Sequence, residues 1–222
     1  MAEIAIAIDG PASSGKGTVA RAVAHALDYA YVDTGAMYRA VGLGCLRRGV
    51  DPRDGPGASA VAESLTFRFT WVGDLFRVAI DGEDVTGEIR TGPMGDAASA
   101  VSVHAGVRAA LLETQRALGR GGGVVMDGRD IGTVVLPDAV LKIFLDASLD
   151  ERARRRAAER ADSDFAGVRA ELAARDAQDS GRAAAPLRRA VDAVVVDTTG
   201  RSIDAVVAEV LALAGERRAL HL

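Results

Sequence analysis

The chain has 222 residues, 49% of them apolar and 26% charged, with a formal net charge of −4. That length supports one large domain or a domain carrying an insertion, with ample core, and the composition is that of a soluble globular protein. The acidic balance excludes a global basic field for gripping nucleic acid, so basic residues with a task must act locally.

Residues 4–8 (IAIAI) are apolar throughout, which predicts a strand covered on both faces, as in a parallel sheet. A loop rich in Gly, Pro and Ser follows. TVARAVAHALD then has helical spacing, with Val19, Val23, Ala26 and Leu27 on one stripe. YAYVD predicts a second strand. TGAMYRAVGLGCLRRG predicts a second helix ending at Gly49, in which Cys45, the one cysteine, reads as core filler. A lone cysteine allows no intrachain disulfide and fits a reducing compartment.

Residues 51–59 (DPRDGPGAS) hold enough breakers to predict a loop. LTFRFTW and LFRVAID alternate apolar and polar around the turn VGD, which predicts a hairpin with one exposed face. Residues 60–98 are therefore expected to form a small antiparallel insertion, with 1–59 and 99–222 as the core. ASAVSVHAGVRAALLETQRALG is predicted as a single helix, broken by the glycines at 121–123. GVVMDGRD and LKIFLDA predict strands that each end in an acid. ERARRRAAER predicts a basic helix and DFAGVRAELAARD another. DAVVVDTT is a last strand and SIDAVVAEVLALAGERRAL a last helix. Strands alternating with helices predict an α/β fold, a three-layer sandwich around a five-stranded parallel sheet. Ligands bind beyond the carboxyl ends of such strands, where Asp9, Asp33, Asp127 and Asp146 fall.

Between the first strand and the first helix stands Gly10-Pro11-Ala12-Ser13-Ser14-Gly15-Lys16-Gly17-Thr18, which fits a phosphate-binding loop. Glycines let backbone N–H groups converge, and the N-terminus of the following helix completes an anion cradle. Lys16 reaches the β- and γ-phosphates of a nucleoside triphosphate. One position departs from the general pattern. The Ser or Thr that would ligate magnesium directly after the lysine is Gly17, with Thr18 one residue later. Mg²⁺ is expected to be held mostly through water, near Asp127, and the Thr18 hydroxyl to face a phosphate oxygen.

Three further segments deliver arginine beside acids and hydroxyls: DTGAMYR (33–39), DGRD (127–130) and RDAQDSGR (175–182). Arginine is suited to bidentate phosphate recognition. If the acceptor is itself a phosphate, its oxygen is already an anionic nucleophile and no general base is required. The barrier is then mainly electrostatic, and is met by positive charge and a metal ion. His25 and His104, both read as helical, and His221 at the tail carry no catalytic signature. Two rivals stay open: a kinase with a hydroxyl acceptor and Asp33 or Asp130 as base, and a nucleotide-dependent switch acting through a partner. Asp33, Asp127 and Asp146 read equally as caps or as groups near the metal, and Tyr38 as a packing residue or a base-stacking one.

GPASSGKGTVA, DTGAMYRA, GEDVTGEIRT, DGRDIGTVV, KIFLDAS and the late RDAQDSGR occur in this order over most of the chain, and together they resemble bacterial cytidylate kinases. GEDVTGEIRT and DGRDIGT are the most specific blocks. The resemblance implies a P-loop kinase that moves the γ-phosphoryl group of ATP to CMP or dCMP with Mg²⁺. From the residues themselves, the absence of a basic field and of a bilayer-length apolar window predicts no nucleic-acid or membrane partner and a cytoplasmic location, and nothing in the sequence suggests an obligate partner, so a monomer is expected. The start of the chain likewise lacks the basic opening and long apolar run of a targeting signal. Residues 60–98 would be the monophosphate-binding insertion, and 151–165 a lid. By resemblance, Thr34 stands near the acceptor. Arg39 and Arg129 grip the CMP phosphate and Arg182 joins them. Ser99, Arg108 and Asp130 read the cytosine edge, while Arg175 and Asp179 hold the ribose. Arg155 and Arg156 are the lid candidates, with Arg156 expected to act in catalysis; Gln178 and Gly181 have no role. The cytosine assignment has physical sense: acceptors suit its N4 amino group and a guanidinium suits N3 or O2, whereas uracil reverses the donor.

Overall fold

The structure is a computed structural model that describes residues 3–160 and 164–220. His221, and residues 161–163 of the expected lid, lie outside the described residues.

The first apolar run becomes β1 (Ala5–Asp9), the central strand of a five-stranded, wholly parallel sheet. Ile6 and Ile8 are completely buried, because helices cover both faces. Each such side chain contributes roughly 1.5–3 kcal/mol. Around β1 the order is β2 (Ala30–Asp33), β6 (Val124–Gly128), β1, β7 (Leu141–Asp146) and β8 (Val194–Asp197). The registers Asp9↔Gly128, Asp33↔Asp127 and Asp146↔Asp197 bring the carboxyl ends, and their acids, to one rim. The helices are α1 (Lys16–Leu27), α2 (Thr34–Arg47), α3 (Gly55–Ser64), α4 (Gly92–Val101), α5 (Ala105–Gly119), α6 (Leu149–Glu159), α7 (Phe165–Gly181) and α8 (Ile203–Leu220).

The predicted hairpin forms as β3 (Phe67–Val72) and β4 (Leu75–Ile80), joined by a two-residue β5 (Glu83–Asp84). Its alternation holds: Phe76, Val78 and Ile80 are buried, while Arg77 is exposed. The rings of Phe67, Phe69 and Phe76 stack in sequence, with centroids 5.7 and 5.5 Å apart. Near the tip, the Trp71 indole donates to the Tyr31 carbonyl at 2.8 Å, and Asp74 meets His25 at 3.0 Å. The first bond fastens the hairpin to the β2 edge of the main sheet and the second to α1.

Two expectations need correction. The breaker-rich stretch 51–59 is only partly a loop, because α3 starts at Gly55. Pro56 lies in its first turn, where the missing N–H costs nothing, so a residue read as a stop is a start. Ala58, Val61 and Ala62 form the buried face of α3, which spans the expected boundary at residue 60. The long helix predicted after residue 98 is two helices, α4 and α5, separated at 102–104. Apolar spacing runs through the break because Val101, Val107 and Leu111 are all buried. His104 is thus not helical: it stands in extended conformation ahead of α5, bonded to the Pro52 carbonyl at 3.0 Å. Close packing of α2 on α4 depends on Gly42, where an added Cβ would sit 2.8 Å from that of Ala97. No helix among the described residues is long and apolar enough to cross a membrane.

Candidate functional site

The loop after β1 is shaped by its glycines. A Cβ at Gly10 would come within 2.1 Å of the Leu145 carbonyl oxygen on β7, so only glycine fits. Gly15 caps α1 in the left-handed region, at φ +88°, which glycine adopts without strain. The Lys16 ammonium is buried and donates to the Pro11 carbonyl at 3.1 Å. The loop is also gripped from α6. Arg152 donates to the Ala12 carbonyl and Arg155 to the Ser14 carbonyl, each at 3.3 Å.

Two cavities open at the carboxyl rim of the sheet, of about 580 and about 630 Å³. They share a wall built by Ser13, Lys16, Asp33, Arg39, Asp127 and Arg156, with Glu159 at its edge. The larger runs along the phosphate loop, past Ser14 to Thr18, towards Arg155 and Thr198. The smaller is lined by Thr34, Tyr38, Arg108, Arg129, Asp130, Arg175, Asp179 and Arg182. Gly10 and Pro11 line neither and form the base of the loop.

Basic groups in the smaller cavity are threaded on two buried acids. Asp130 pairs with Arg108 and lies 3.8 Å from Arg182. Asp179 takes the Arg129 Nε at 2.8 Å and meets Arg182 at 3.5 Å. Burial would raise the Asp179 pKa, but the Arg129 guanidinium, with Arg175 and Arg182, holds it below the usual carboxylate range. Arg108 also lies over the Tyr38 ring, 5.4 Å from its centre. The lining carries nine basic side chains against five acidic ones, so the cavity is net cationic. Several of its donors have no partner. Arg39 Nε, Arg175 Nε and Arg182 Nη2 are buried without a hydrogen bond, as is Ser14 Oγ beside the phosphate loop. Burial, then the charge of Arg129, lowers Arg175 to about 10. Buried donors left unpaired are costly, and an anion would satisfy these.

At the shared wall, burial lowers the Lys16 pKa, helped by Arg129, and raises that of Asp127, helped by Asp33. Asp127 accepts from the Tyr31 hydroxyl at 2.9 Å, and its carbonyl from Thr34 Oγ1 at 2.7 Å. Asp33 caps Ala36 N at 3.0 Å and also holds Arg39 at 2.7 Å. Asp9 and Asp146 are committed to backbone. Asp9 accepts from Ile131 N and Gly132 N, each at 2.8 Å, and pins the π-helical turn Ile131–Val135 that follows Asp130. Burial raises the Asp9 pKa to about 7 against those two bonds. Asp146 caps Ala147 N.

Most expected positions converge on the two cavities, but Ser99 does not. It lies outside both linings, and its hydroxyl and carbonyl accept from Gln178 Nε2, each at 3.0 Å. Gln178, given no role from the sequence, is its partner, and Ser102 faces the cavity instead. Ser99 stands inside α4, and Ser102 directly follows that helix. The two lid candidates separate. Arg155 is tied to Ser14 and Thr198, and Arg156 lines both cavities. Sequence reasoning also missed Arg152, which is buried between Ala12, Ala147 and Asp176. Helical spacing held the signal: 152, 155 and 156 share one face, while Arg154 points to solvent.

Residues 6–216 match the family model described as cytidylate kinase. The cytidylate kinase of Exiguobacterium sibiricum is 50% identical over 218 residues, covering 96% of this chain and 98% of that protein. The cytidylate kinase of Pelotomaculum thermopropionicum is 50% identical over 213 residues, covering 93% and 94%. A solved gluconokinase from Sinorhizobium meliloti superposes with a TM-score of 0.53 at 16% identity, covering 99% of this chain and 96% of that one. It shares the fold alone.

Proposed function

Because the chain belongs to the cytidylate kinase family and so phosphorylates CMP or dCMP with ATP as donor, we propose that its two joined cavities are the two nucleotide sites. ATP is held by the loop Gly10–Thr18, against Ser13–Thr18 in the larger cavity, and the monophosphate lies in the smaller. The observation that carries this reading is the common wall, where Lys16, Arg39 and Arg156 face both spaces at once. A γ-phosphoryl group delivered there meets an incoming phosphate oxygen. The new P–O bond forms to CMP as the bond to ADP breaks.

The residues divide the task by chemistry. Arg39, Arg129 and Arg182 bind the CMP phosphate, and the N–H groups of Arg39 and Arg182 that lack a hydrogen bond supply donors. Arg156 joins Lys16 on the transferring group, where charge must be stabilised in the transition state. Thr34 borders the acceptor. Arg108 and Asp130 read the cytosine edge, and Ser99 joins them when its bond from Gln178 is exchanged for cytosine N4. Arg175 and Asp179 hold the ribose. No general base is required, and the two carboxylates open to that role, Asp33 and Asp130, are engaged with Arg39 and Arg108.

The donor set fits a magnesium ion carried by the nucleotide. No group of three or more His, Cys, Asp or Glu among the described residues is arranged to hold a metal, while Asp127 and Asp33 sit side by side at the shared wall. Asp127 is the carboxylate that would hold the ion through water. When bound there, the ion would supply positive charge against the negative charge of the transferring phosphates.

The insertion at 60–98 and the helix opening the span 151–165 are read as the segments that close over the substrates and exclude water. The single thiol, Cys45, is buried and supports a reducing, cytoplasmic setting; we read the enzyme as a monomer. A coupled ADP-release assay over a panel of nucleoside monophosphates tests the whole. CMP- and dCMP-dependent turnover is expected, and indifference to every monophosphate would refute it.

A further inference from the structure

General phosphate loops place a hydroxyl side chain directly after the lysine, and this chain has Gly17 there. A Cβ built on Gly17 would lie 3.3 Å from Tyr31 Oη and 3.9 Å from Asp127 Oδ2. The space a hydroxyl residue would extend into is therefore already occupied by a hydroxyl, delivered from β2. Tyr31 and Gly17 line the same cavity together with Lys16 and Asp127. The Tyr31 hydroxyl spends its proton on Asp127 Oδ1 at 2.9 Å, which leaves Oδ2 on the Gly17 side.

We propose that Tyr31 is a positioning residue that replaces the hydroxyl missing at position 17. Its O–H sets the rotation of the Asp127 carboxylate, so that Oδ2 faces the metal-bearing phosphates rather than the protein. The proposal rests on ATP occupying the phosphate loop. Tyr31 is itself well held: its carbonyl takes the Trp71 indole, and Arg21 lies over its ring at 5.7 Å. A phenol held so firmly presents a fixed oxygen. It also accounts for glycine at 17, because any side chain there meets Tyr31 Oη at a distance tighter than ordinary contact.

The exchange of one hydroxyl for the other is the test. Tyr31→Phe, Gly17→Ser and the double variant are compared with the unaltered chain in three measurements: ATP binding by calorimetry with and without Mg²⁺, the Mg²⁺ concentration for half-maximal CMP-dependent turnover, and the melting temperature. Tyr31→Phe should leave metal-free ATP binding within about twofold and raise the Mg²⁺ requirement about tenfold, the scale of one lost hydrogen bond to a charged group. Gly17→Ser alone should be harmful. In the Tyr31→Phe background the same serine should bring the Mg²⁺ requirement back to within about threefold of the starting value, because Ser Oγ then takes the place of the phenol oxygen. An unchanged Mg²⁺ requirement in Tyr31→Phe would overturn the proposal. So would equal weakening of metal-free and metal-loaded ATP with a large melting loss, or a Gly17→Ser effect identical in both backgrounds. If the unaltered chain showed no CMP-dependent turnover, the nucleotide reading itself would be what failed.

Discussion

Arg129 joins two buried functions, and its removal should separate them. Its Nε is committed to Asp179 at 2.8 Å, and Nη1 donates to the Gly128 carbonyl at 3.3 Å. A guanidinium has five N–H groups, so those two bonds leave three, on a side chain that lines the cavity with Lys16 and Arg182. Two charge-assisted hydrogen bonds to a phosphate are together worth about 4 kcal/mol, so Arg129→Ala should lower kcat/KM for CMP roughly a thousandfold. The same change takes from buried Asp179 its nearest partner, leaving Arg182 at 3.5 Å and the charge of Arg175. Breaking a buried pair costs about 3–5 kcal/mol of stability, and the melting temperature should fall with it. Arg129→Lys keeps a charge beside Asp179 but loses the planar fork; it should recover most of the stability and little of the catalysis. Coupled ADP release measured across a CMP titration, beside calorimetric ATP binding and thermal unfolding, reads all three. A loss under about tenfold in kcat/KM for CMP, or an equal loss of ATP affinity, would refute the reasoning.

Arg155 and Arg156 should behave differently although they are adjacent. Arg156→Ala should cut kcat about a hundredfold with little change in melting temperature, whereas Arg155→Ala, which cuts ties to Ser14 and Thr198, should lower the melting temperature by several degrees; identical profiles would deny the distinction. Gly10→Ala drives a methyl into the Leu145 carbonyl and should cost about 3 kcal/mol, or some 10 °C in melting temperature; a variant that melts within a degree of the parent would show that β7 yields. Asp9 binds its proton more tightly folded than unfolded, its pKa being raised from 3.8 to about 7. Its contribution to stability is therefore fully present below pH 4 and lost as pH rises to about 7. The ceiling on that loss is about 4 kcal/mol. Denaturant unfolding of the parent and Asp9→Asn across this range should give diverging slopes, and parallel curves would contradict the shift.

Local chemistry made much of this protein legible in advance. The first strand could be read because IAIAI is apolar on both faces, a pattern that belongs to a covered parallel sheet, and the others because each short apolar run ends in an acid before a turn or helix. The phosphate loop could be read because its glycines, lysine and flanking elements are contiguous, and the family because its blocks stand in order. Where burial overrode a local signal, the reading failed. Pro56 looked like a stop and starts α3, since a first-turn residue needs no N–H bond. The stretch around His104 kept helical spacing through a break, because both flanking helices bury an apolar face.

What a chain states alone is which residue types are available and how each segment prefers to fold, since propensity and patterning act between near neighbours. Which of those residues share a space is decided by packing across long separations. Asp9 reaches Ile131, Arg152 reaches Ala12, and Tyr31 reaches Asp127 and comes within contact of position 17. Only the crossing of strands in the order β2, β6, β1, β7, β8 brings those pairs together, because parallel neighbours in a sheet are joined through helices and come from distant parts of the chain.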